Sequence, residues 1–170
     1  MPVLEPSDAQ ECKDYMVKAF DISEKYDTIV LLRSTTRISH SRGVVTIGTR
    51  EEREKIPYQK NINKYVAMPA MAKQLHIVQE KRMKQIACDA DHMDINRAEM
   101  KDTKMGIITS GICYQYVKEA LPEASVLKMG MIYQLPAGMI RDFAAKVEKI
   151  YVIEEGDPIF EEQIRAMGIE

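Results

Sequence analysis

Several features are scarce in this 170-residue sequence, and each absence excludes a class of protein. The chain has no tryptophan and three cysteines, Cys12, Cys88 and Cys113, which lie far apart and form no CxxC pair. The sequence therefore does not encode a zinc or iron–sulphur site built on paired cysteines. No apolar run approaches the roughly 18 residues that a membrane-spanning helix needs, and the start of the chain lacks the pattern of a signal peptide. These absences favour a cytoplasmic setting.

The charge and composition narrow the class further. The formal net charge is −2, so no overall field attracts nucleic acid or an anionic membrane surface. With 45% hydrophobic and 29% charged residues the chain is predicted to be globular, and its length fits one ordinary domain or a small domain with part of another. The histidines His40, His76 and His92 lack the spacing of metal ligands, and no serine lies on a recognisable nucleophile turn. The residues therefore predict neither a metal site nor a catalytic triad.

The first part of the chain is predicted to form a helix followed by a buried strand. Ser7 and Gln10 have the spacing of a capping box, with Asp8 in the first turn. One helical stripe is predicted to be buried, and it consists of Ala9, Cys12, Met16, Ala19, Ser23 and the adjacent Phe20. The uncharged, β-branched run at 28–32 has the length of a buried strand, and the shorter apolar run at 44–47 is typical of an edge strand.

A loop rich in cations and hydroxyl groups follows the predicted strand. It covers residues 33–43 and holds Arg33, Arg37, His40 and Arg42 among several serines and threonines. In open α/β sheets, ligands and partner subunits meet the chain beyond the carboxyl ends of strands. This polar, cationic loop is therefore a candidate site for a carboxylate, a phosphate or an acidic surface. The same composition also fits an ordinary surface loop with solvated charges.

A charged connector separates the two parts of the chain. Residues 50–60 are mostly polar and contain Pro57, which argues against a continuing helix, so we predict a domain boundary there. Residues 71–91 have a helical but loosely amphipathic pattern. This pattern suits a connector helix that lies across a domain surface.

The last third of the chain alternates strands and helices regularly. Strands are predicted at 105–109, 124–129 and 150–153, and helices from Gly111, Pro136 and Asp157. This alternation implies a parallel sheet with right-handed crossovers. The predicted fold class is therefore α/β, with a doubly wound parallel sheet. Because the pattern stops after the third helix, we expect this part to be incomplete.

Two strand-to-helix turns in this last third carry polar groups. The turn at Thr109, Ser110 and Gly111 could bind an anion at a helix N-terminus. It lacks the glycine spacing of a dinucleotide fingerprint or a phosphate loop, so a structural turn is favoured.

The second turn carries carboxylates. Glu154, Glu155 and Asp157 could perform acid–base chemistry or hold a hard metal ion. Asp157 is also a natural N-cap before Pro158, so the structural interpretation is favoured here too, and Glu155 is the carboxylate to test.

Several segments resemble one family of enzymes. The run LEPSDAQECKDYMVKAFDISEKYDTIVLLRSTTRISHSRGVV, at residues 4–45, resembles the end of the pyrimidine-binding domain in the alpha subunit of indolepyruvate:ferredoxin oxidoreductase. Residues 106–111, 114–121, 133–136 and 152–158 resemble the following domain of that subunit, which is related to the C-terminal domain of transketolase. Ile29, Gln134 and Gly156 depart from the family pattern.

The resemblance implies a division of the chain into three parts. Residues 1–56 would be the C-terminal part of the pyrimidine-binding domain, residues 57–104 a connector with a helix, and residues 105–170 an incomplete transketolase C-terminal-like domain with three αβα layers. Enzymes of this family oxidatively decarboxylate aryl 2-oxo acids to acyl-coenzyme A. They use thiamine diphosphate with magnesium and pass electrons through iron–sulphur clusters to ferredoxin.

Little of that machinery is in this sequence. The GDG segment with which thiamine enzymes hold the diphosphate and its metal does not occur, and neither do cluster-binding cysteine runs. The resemblance therefore implies an internal, non-catalytic segment without a cofactor or metal of its own. In the full enzyme it would contact the rest of the alpha subunit, a beta subunit and ferredoxin. Arg37, His40 and Arg42 are expected to orient an interface near the cofactor or coenzyme A.

Two other interpretations stay open. The chain could be a stand-alone α/β interaction or scaffold module that kept the fold after losing its cofactor motifs. It could also be a small nucleotide-binding domain, which only the turn at Ser110 and Gly111 supports. Apolar surface left exposed where missing parts dock would allow the chain to associate with itself.

Overall fold

The computed structural model describes residues 1–50, 52 and 54–169. The charged segment with the predicted domain boundary includes Glu51 and Arg53, and the predicted third part ends at Glu170; these three positions lie outside the described residues. The helices are α1 (Ala9–Tyr26), α2 (Thr36–His40), α3 (Ile62–Tyr65), α4 (Pro69–Ala90), α5 (Gly111–Ala120), α6 (Ala137–Ala144) and α7 (Ile159–Ala166). The strands are β1 (Val3–Leu4), β2 (Leu31–Leu32), β3 (Arg97–Glu99), β4 (Asp102–Ser110), β5 (Ala124–Met129), β6 (Met131–Tyr133) and β7 (Ile150–Ile153).

The strands form two sheets. In the larger sheet the order is β3-β5-β4-β7, and β4 runs parallel to both β5 and β7. This arrangement confirms the predicted α/β fold with a parallel sheet. An antiparallel edge strand, β3, extends the sheet beyond β5 and was not predicted. In the smaller sheet β1 lies between β2, to which it is parallel, and β6, to which it is antiparallel.

Helices cover both faces of the larger sheet. Successive residues of a strand point to opposite faces, so Ile107 and Ile108 of β4 belong to different cores. Ile107 packs in a cluster with Val117 of α5, whereas Ile108 packs in a cluster with Phe143 of α6 and Phe160 of α7. The result is a three-layer αβα arrangement, as predicted.

A third apolar cluster joins the smaller sheet to α1 and to the connector helix α4. Its buried members are Leu4, Tyr15, Ala19, Ile22, Tyr26, Ile86, Ala90, Ile95 and Met131. The predicted helix at 71–91 is confirmed as α4, whose buried residues, Ile86 and Ala90, lie near its C-terminal end. The connector helix is therefore anchored by its last turns.

The predicted details of α1 are wrong in two respects. Asp8, and not Ser7, is the N-cap, because its carboxylate accepts a hydrogen bond from the backbone amide of Glu11 at 2.8 Å. The helix also buries a stripe that shares Ala19 with the predicted one and otherwise consists of Glu11, Tyr15, Ile22 and Tyr26. Met16 and Phe20 of the predicted stripe are 47% and 63% exposed. Tyrosines can be buried here because their hydroxyls find partners, Tyr15 at the Ile95 carbonyl and Tyr26 at Asp89.

The predicted buried strand at 28–32 is also wrong in extent and environment. It is reduced to the two residues of β2, and Ile29 and Leu31 are 75% and 45% exposed. The physical reason is that β2 is an edge strand in the described structure, because it pairs with β1 alone. The apolar run at 44–47 forms no strand, and Val44 is 98% exposed.

The regular last third follows the prediction closely. The predicted strands at 124–129 and 150–153 are β5 and β7, and the predicted strand at 105–109 lies within β4. Pro136 and Pro158 are the N-cap residues of α6 and α7. Gly168 has a φ of 80°, a left-handed conformation that glycine adopts without strain and that ends α7.

No helix in the described part of the chain is both long enough and apolar enough to cross a bilayer.

Candidate functional site

A cavity of about 250 Å³ lies where the carboxyl ends of β1, β2, β4 and β7 come together. Glu5, Arg33 and Ser110 line it from the residues that end or follow β1, β2 and β4. Glu154, Glu155 and Asp157, which follow β7, line it as well, together with apolar groups that include Val3, Ile132 and Phe160. The structure therefore brings together the start of the cationic loop and both strand-to-helix turns.

Glu5 is the central polar group of this cavity. Its side chain is 5% exposed, and it accepts a hydrogen bond of 2.6 Å from the Ser110 hydroxyl. Arg33 Nε lies 3.5 Å from the other carboxylate oxygen of Glu5. Gly111 has a φ of 51°, and a Cβ atom there would lie 3.0 Å from the Glu5 carboxyl carbon. The turn predicted as a possible anion site is therefore in contact with a carboxylate of the chain itself.

The sequence analysis did not identify Glu5 as a functional candidate. One signal was available, because Glu5 is the single charged residue among the first six and lies between Leu4 and Pro6. A lone carboxylate in an apolar run is buried only where it has partners. Those partners lie 28 and 105 positions further along the chain (33 − 5 and 110 − 5), so periodicity could not reveal them.

The carboxylates after β7 do not form an acid–base pair. Glu154 accepts hydrogen bonds from the backbone amides of Phe160, at 3.0 and 3.1 Å, and Glu161, at 3.2 Å, and so caps the start of α7. The prediction that Asp157 caps this helix is wrong, because the side chain of Glu154 reaches the free amides instead. Glu155 and Asp157 are exposed at the mouth of the cavity.

The predicted cationic residues lie on a short helix beside the cavity. Arg37 and His40 belong to α2 and Arg42 follows it, and all three side chains are exposed. Ile38, which is 6% exposed, anchors this helix. Among the described residues that line the cavity, Arg33 represents the cationic loop, and Arg37, His40 and Arg42 are not included.

A second polar centre lies beneath α1 and is almost closed to solvent. Lys128 of β5 has a fully buried side chain, and its Nζ donates a hydrogen bond of 2.6 Å to Glu11. The same ammonium donates to the Tyr15 hydroxyl and lies 4.7 Å from the centre of the Tyr15 ring. Ser7 adds hydrogen bonds from its amide and its hydroxyl to Glu11, at 2.7 and 2.8 Å.

Burial and the neighbouring charges together set the protonation states of Glu11, Lys128 and Tyr15. Burial alone would raise the pKa of Glu11, but the charge and hydrogen bond of Lys128, with the Ser7 amide and Arg97, lower this pKa to about 2. Burial lowers the pKa of Lys128, and the Glu11 carboxylate opposes that change. Burial and the nearby Glu11 charge raise the pKa of Tyr15. Glu11 and Lys128 are therefore a buried ion pair.

Arg97 extends this centre towards α5. Its guanidinium donates to Glu11 at 2.9 Å and to Glu99 at 3.1 Å, and it stacks over the Tyr114 ring at 4.9 Å. Glu99 also accepts hydrogen bonds from Lys118 at 2.5 Å and from the Tyr114 hydroxyl at 2.6 Å. Burial would raise the pKa of Glu99, but these donors lower it to about 2. This network of ion pairs and hydrogen bonds was not predicted, because its members are distributed over five elements or turns of the chain.

In the described residues, no group of three or more histidine, cysteine, aspartate or glutamate side chains is arranged to hold a metal ion.

Comparison with known proteins identifies relatives along nearly the whole chain. The chain is 39% identical to the indolepyruvate oxidoreductase subunit IorA of Methanothermobacter thermautotrophicus, over 99% of this chain and 28% of that protein. It is 40% identical to IorA of Methanothermobacter marburgensis, with the same coverage. The chain therefore spans about 28% of the length of the curated relatives that it matches. No protein-family model matches it.

A solved structure shares the fold. The 2-oxoglutarate:ferredoxin oxidoreductase of Magnetococcus marinus, solved with 2-oxoglutarate, coenzyme A and succinyl-CoA bound, superposes with a TM-score of 0.65. The match covers 98% of this chain and 37% of that chain, at 17% sequence identity. At that identity the likeness concerns the fold alone.

Proposed function

We propose, from the premise that this chain is related along nearly its whole length to a segment of IorA, that it forms part of an indolepyruvate:ferredoxin oxidoreductase. The resemblance to the alpha subunit of that enzyme, inferred from the sequence, is confirmed by these relatives. The complete enzyme would oxidatively decarboxylate aryl 2-oxo acids and form acyl-coenzyme A. The observation that carries the proposal is 39–40% identity over 99% of the chain.

The role proposed for this segment is structural. Residues 1–56 would end a pyrimidine-binding domain, residues 57–104 connect, and residues 105–170 form part of a transketolase C-terminal-like domain. The third apolar cluster supports a bracing role, because it ties α1, the connector helix α4 and β6 together. The segment would thereby hold the catalytic parts of the subunit in place.

The residues of this segment do not fit thiamine diphosphate and its magnesium ion. The chain has no GDG segment, and its described residues hold no metal-binding cluster. The proposal therefore assigns thiamine diphosphate, magnesium and the iron–sulphur clusters to other parts of the enzyme. The partners would be the rest of the alpha subunit, a beta subunit and ferredoxin, in the cytoplasm.

Arg37, His40 and Arg42 would present fixed positive charge to anionic groups at an interface with the cofactor or coenzyme A. Their exposure supports this role, because none of the three side chains is buried in the chain's own core. Their backbone is held in place, since the Ser41 hydroxyl donates to the Ile38 carbonyl at 2.8 Å. An anchored, exposed cationic turn is well suited to bind anions.

A segment exchange tests the proposed function. The matching segment of IorA from Methanothermobacter thermautotrophicus is replaced by this chain, and oxidation of indolepyruvate with coenzyme A and ferredoxin is measured. We expect an assembled, active enzyme, whereas IorA lacking the segment should be inactive. A chimera that does not assemble, or that assembles without activity, would contradict the proposal.

The same chimera tests the cationic turn. Arg37→Ala or Arg42→Ala should raise the KM for coenzyme A about tenfold, which corresponds to the loss of one charge-assisted hydrogen bond of about 1.5 kcal/mol. Arg141→Ala, which removes an exposed arginine of α6, is the matched control and should leave the KM unchanged. If the loop variants behave like the control, the loop is only scaffold.

A further inference from the structure

Lys128 poses a physical problem that the proposed function does not explain. It is 0% exposed, and it lies on β5, all six residues of which are buried. Its neighbours on that strand, Leu127 and Met129, are also fully buried. Removing an ammonium and a carboxylate from water is costly, and apolar residues of similar volume often stabilise such a site equally well.

The face of α1 that covers Lys128 offers a reason for the charge. From Tyr15 onward that face is buried through aromatic and aliphatic groups, namely Tyr15, Ala19, Ile22 and Tyr26. Such groups can pack on an apolar surface in more than one position along the helix axis. Apolar contact therefore specifies weakly the position of α1 along its axis, and the other polar contacts of this face are the hydroxyl hydrogen bonds of Tyr15 to the Ile95 carbonyl and of Tyr26 to Asp89.

Glu11 removes this ambiguity. It is the one carboxylate in the buried stripe of α1, among the described residues. A slide of one helical turn, about 5.4 Å, would move the Glu11 carboxylate away from Lys128 and would leave the ammonium buried without its anionic partner. Arg97 strengthens the constraint, because it donates to the second oxygen of Glu11 at 2.9 Å from a different strand.

We propose that the Glu11–Lys128 pair is a register lock, which selects one docking position of α1 on the larger sheet and adds little net stability. The proposal is independent of the proposed function, because it concerns the chain itself. The lock also affects residues beyond α1, because the chain runs from the end of this helix through Asp27 to β2 and the cationic loop. The lock would therefore also fix the position of that loop relative to the sheet.

Double substitution of the pair tests the lock on the 170-residue chain. Glu11→Leu leaves the buried Lys128 ammonium without its anionic partner, and Lys128→Met leaves the Glu11 carboxylate with Arg97 as its remaining cationic partner. Each should lower the unfolding midpoint, Glu11→Leu the more strongly. The double variant E11L/K128M also leaves the Ser7 amide and hydroxyl without their acceptor, so it should be less stable than the unmodified chain but should unfold at a higher temperature than either single variant. Its amide NMR spectrum should show doubled or exchange-broadened peaks for residues 9–26, whereas the unmodified chain should give one sharp peak for each amide.

A surface pair on the same helix provides the matched control. Lys18 of α1 pairs with Asp94 at 2.7 Å, and the Asp94 side chain is 83% exposed. The variant K18M/D94L should keep single sharp peaks throughout α1. Sharp single peaks in E11L/K128M as well would overturn the proposal, because docking would then be unique without the pair. A double variant that fails to fold, or that is less stable than either single variant, would also overturn it, since the pair would then be needed for stability itself.

Discussion

Gly130, in the turn between β5 and β6, should not tolerate a side chain. A Cβ atom at this position would lie 2.2 Å from the carbonyl oxygen of Ile95 and 2.5 Å from the Tyr15 hydroxyl. Real Cβ atoms essentially never come closer than 3.0 Å, so the carbonyl must move by at least 0.8 Å (3.0 − 2.2). Gly130→Ala is therefore expected to displace backbone, and not only a flexible side chain.

The expected loss of stability follows from the contacts that this movement strains. Overpacking of a filled core costs about 1–3 kcal/mol. The Gly130 amide donates to Asn96 at 2.9 Å and its carbonyl accepts from the Glu5 amide at 2.8 Å, and each hydrogen bond contributes about 0.5–1.5 kcal/mol. The lower entropy of an unfolded alanine returns roughly 0.5 kcal/mol. We expect a net loss of about 3 kcal/mol, or about 10 °C in the unfolding midpoint for a chain of this size.

Urea and thermal unfolding, followed by circular dichroism, measure this loss. Gly156→Ala is the control, because its added Cβ would meet nothing within 4 Å although its φ is 98°. That variant isolates backbone strain, which costs about 1–2 kcal/mol. If Gly130→Ala loses no more stability than Gly156→Ala, the close approach of the Ile95 carbonyl does not constrain this turn.

Three further predictions concern buried polar groups. Glu11 has a pKa of about 2 in the folded chain against 4.5 in the unfolded chain, so its ionised form stabilises the fold by about 3 kcal/mol relative to its protonated form. This difference is present above pH 4.5 and is lost as the pH falls through 2, and urea unfolding as a function of pH measures it. Asn96→Leu removes the acceptor of the Gly130 and Met131 amides, both at 2.9 Å, and should lower the free energy of unfolding by about 2–4 kcal/mol in urea titrations. Glu154→Ala removes the cap of α7 and should cost about 1 kcal/mol, or 2–4 °C in a thermal scan.

Each of these predictions has a control. Glu11→Gln should flatten the dependence of stability on pH between 4.5 and 2, and an unchanged slope would mean that other carboxylates dominate acid unfolding. Gln10→Leu removes the acceptor of an exposed backbone amide, that of Thr46 at 2.7 Å, and should lose less stability than Asn96→Leu. Glu155→Ala, at an exposed neighbouring position, should leave the midpoint unchanged. Equal effects of Glu154→Ala and Glu155→Ala would argue against the cap.

The sequence predicted best those elements whose neighbours lie close in the chain. Strands β5 and β7 and helices α6 and α7 alternate with short connections, so proline, glycine and apolar periodicity were sufficient to define them. The first part of the chain was predicted less well. Within the described residues, strand β2 pairs with β1 alone, 28 positions earlier (31 − 3), and Leu31 is 45% exposed. An apolar run indicates a strand, but it does not show whether a second neighbour covers it.

The polar centres show the same limit. The resemblance to a family was visible in local motifs and is confirmed by relatives at 39–40% identity. The partners of Glu5 and Glu11 were not visible, because Ser110 and Lys128 lie 105 and 117 positions away. A buried charge depends on contacts between distant parts of the chain, which composition and periodicity do not encode. The roles of Arg37, His40 and Arg42 stay predictions.

The Glu5 carboxylate is bonded to the Ser110 turn, so a negative charge of the chain itself lies at the start of α5 and disfavours the binding of an anion there. Any phosphate entering there would have to expel Glu5, whose amide is bonded to the Gly130 carbonyl immediately after β1. Displacement would break the hydrogen bond from Ser110 and leave the Glu5 carboxylate beside the incoming charge. The free energy of that displacement would be subtracted from the binding of a nucleotide at this turn, so its affinity there would be low.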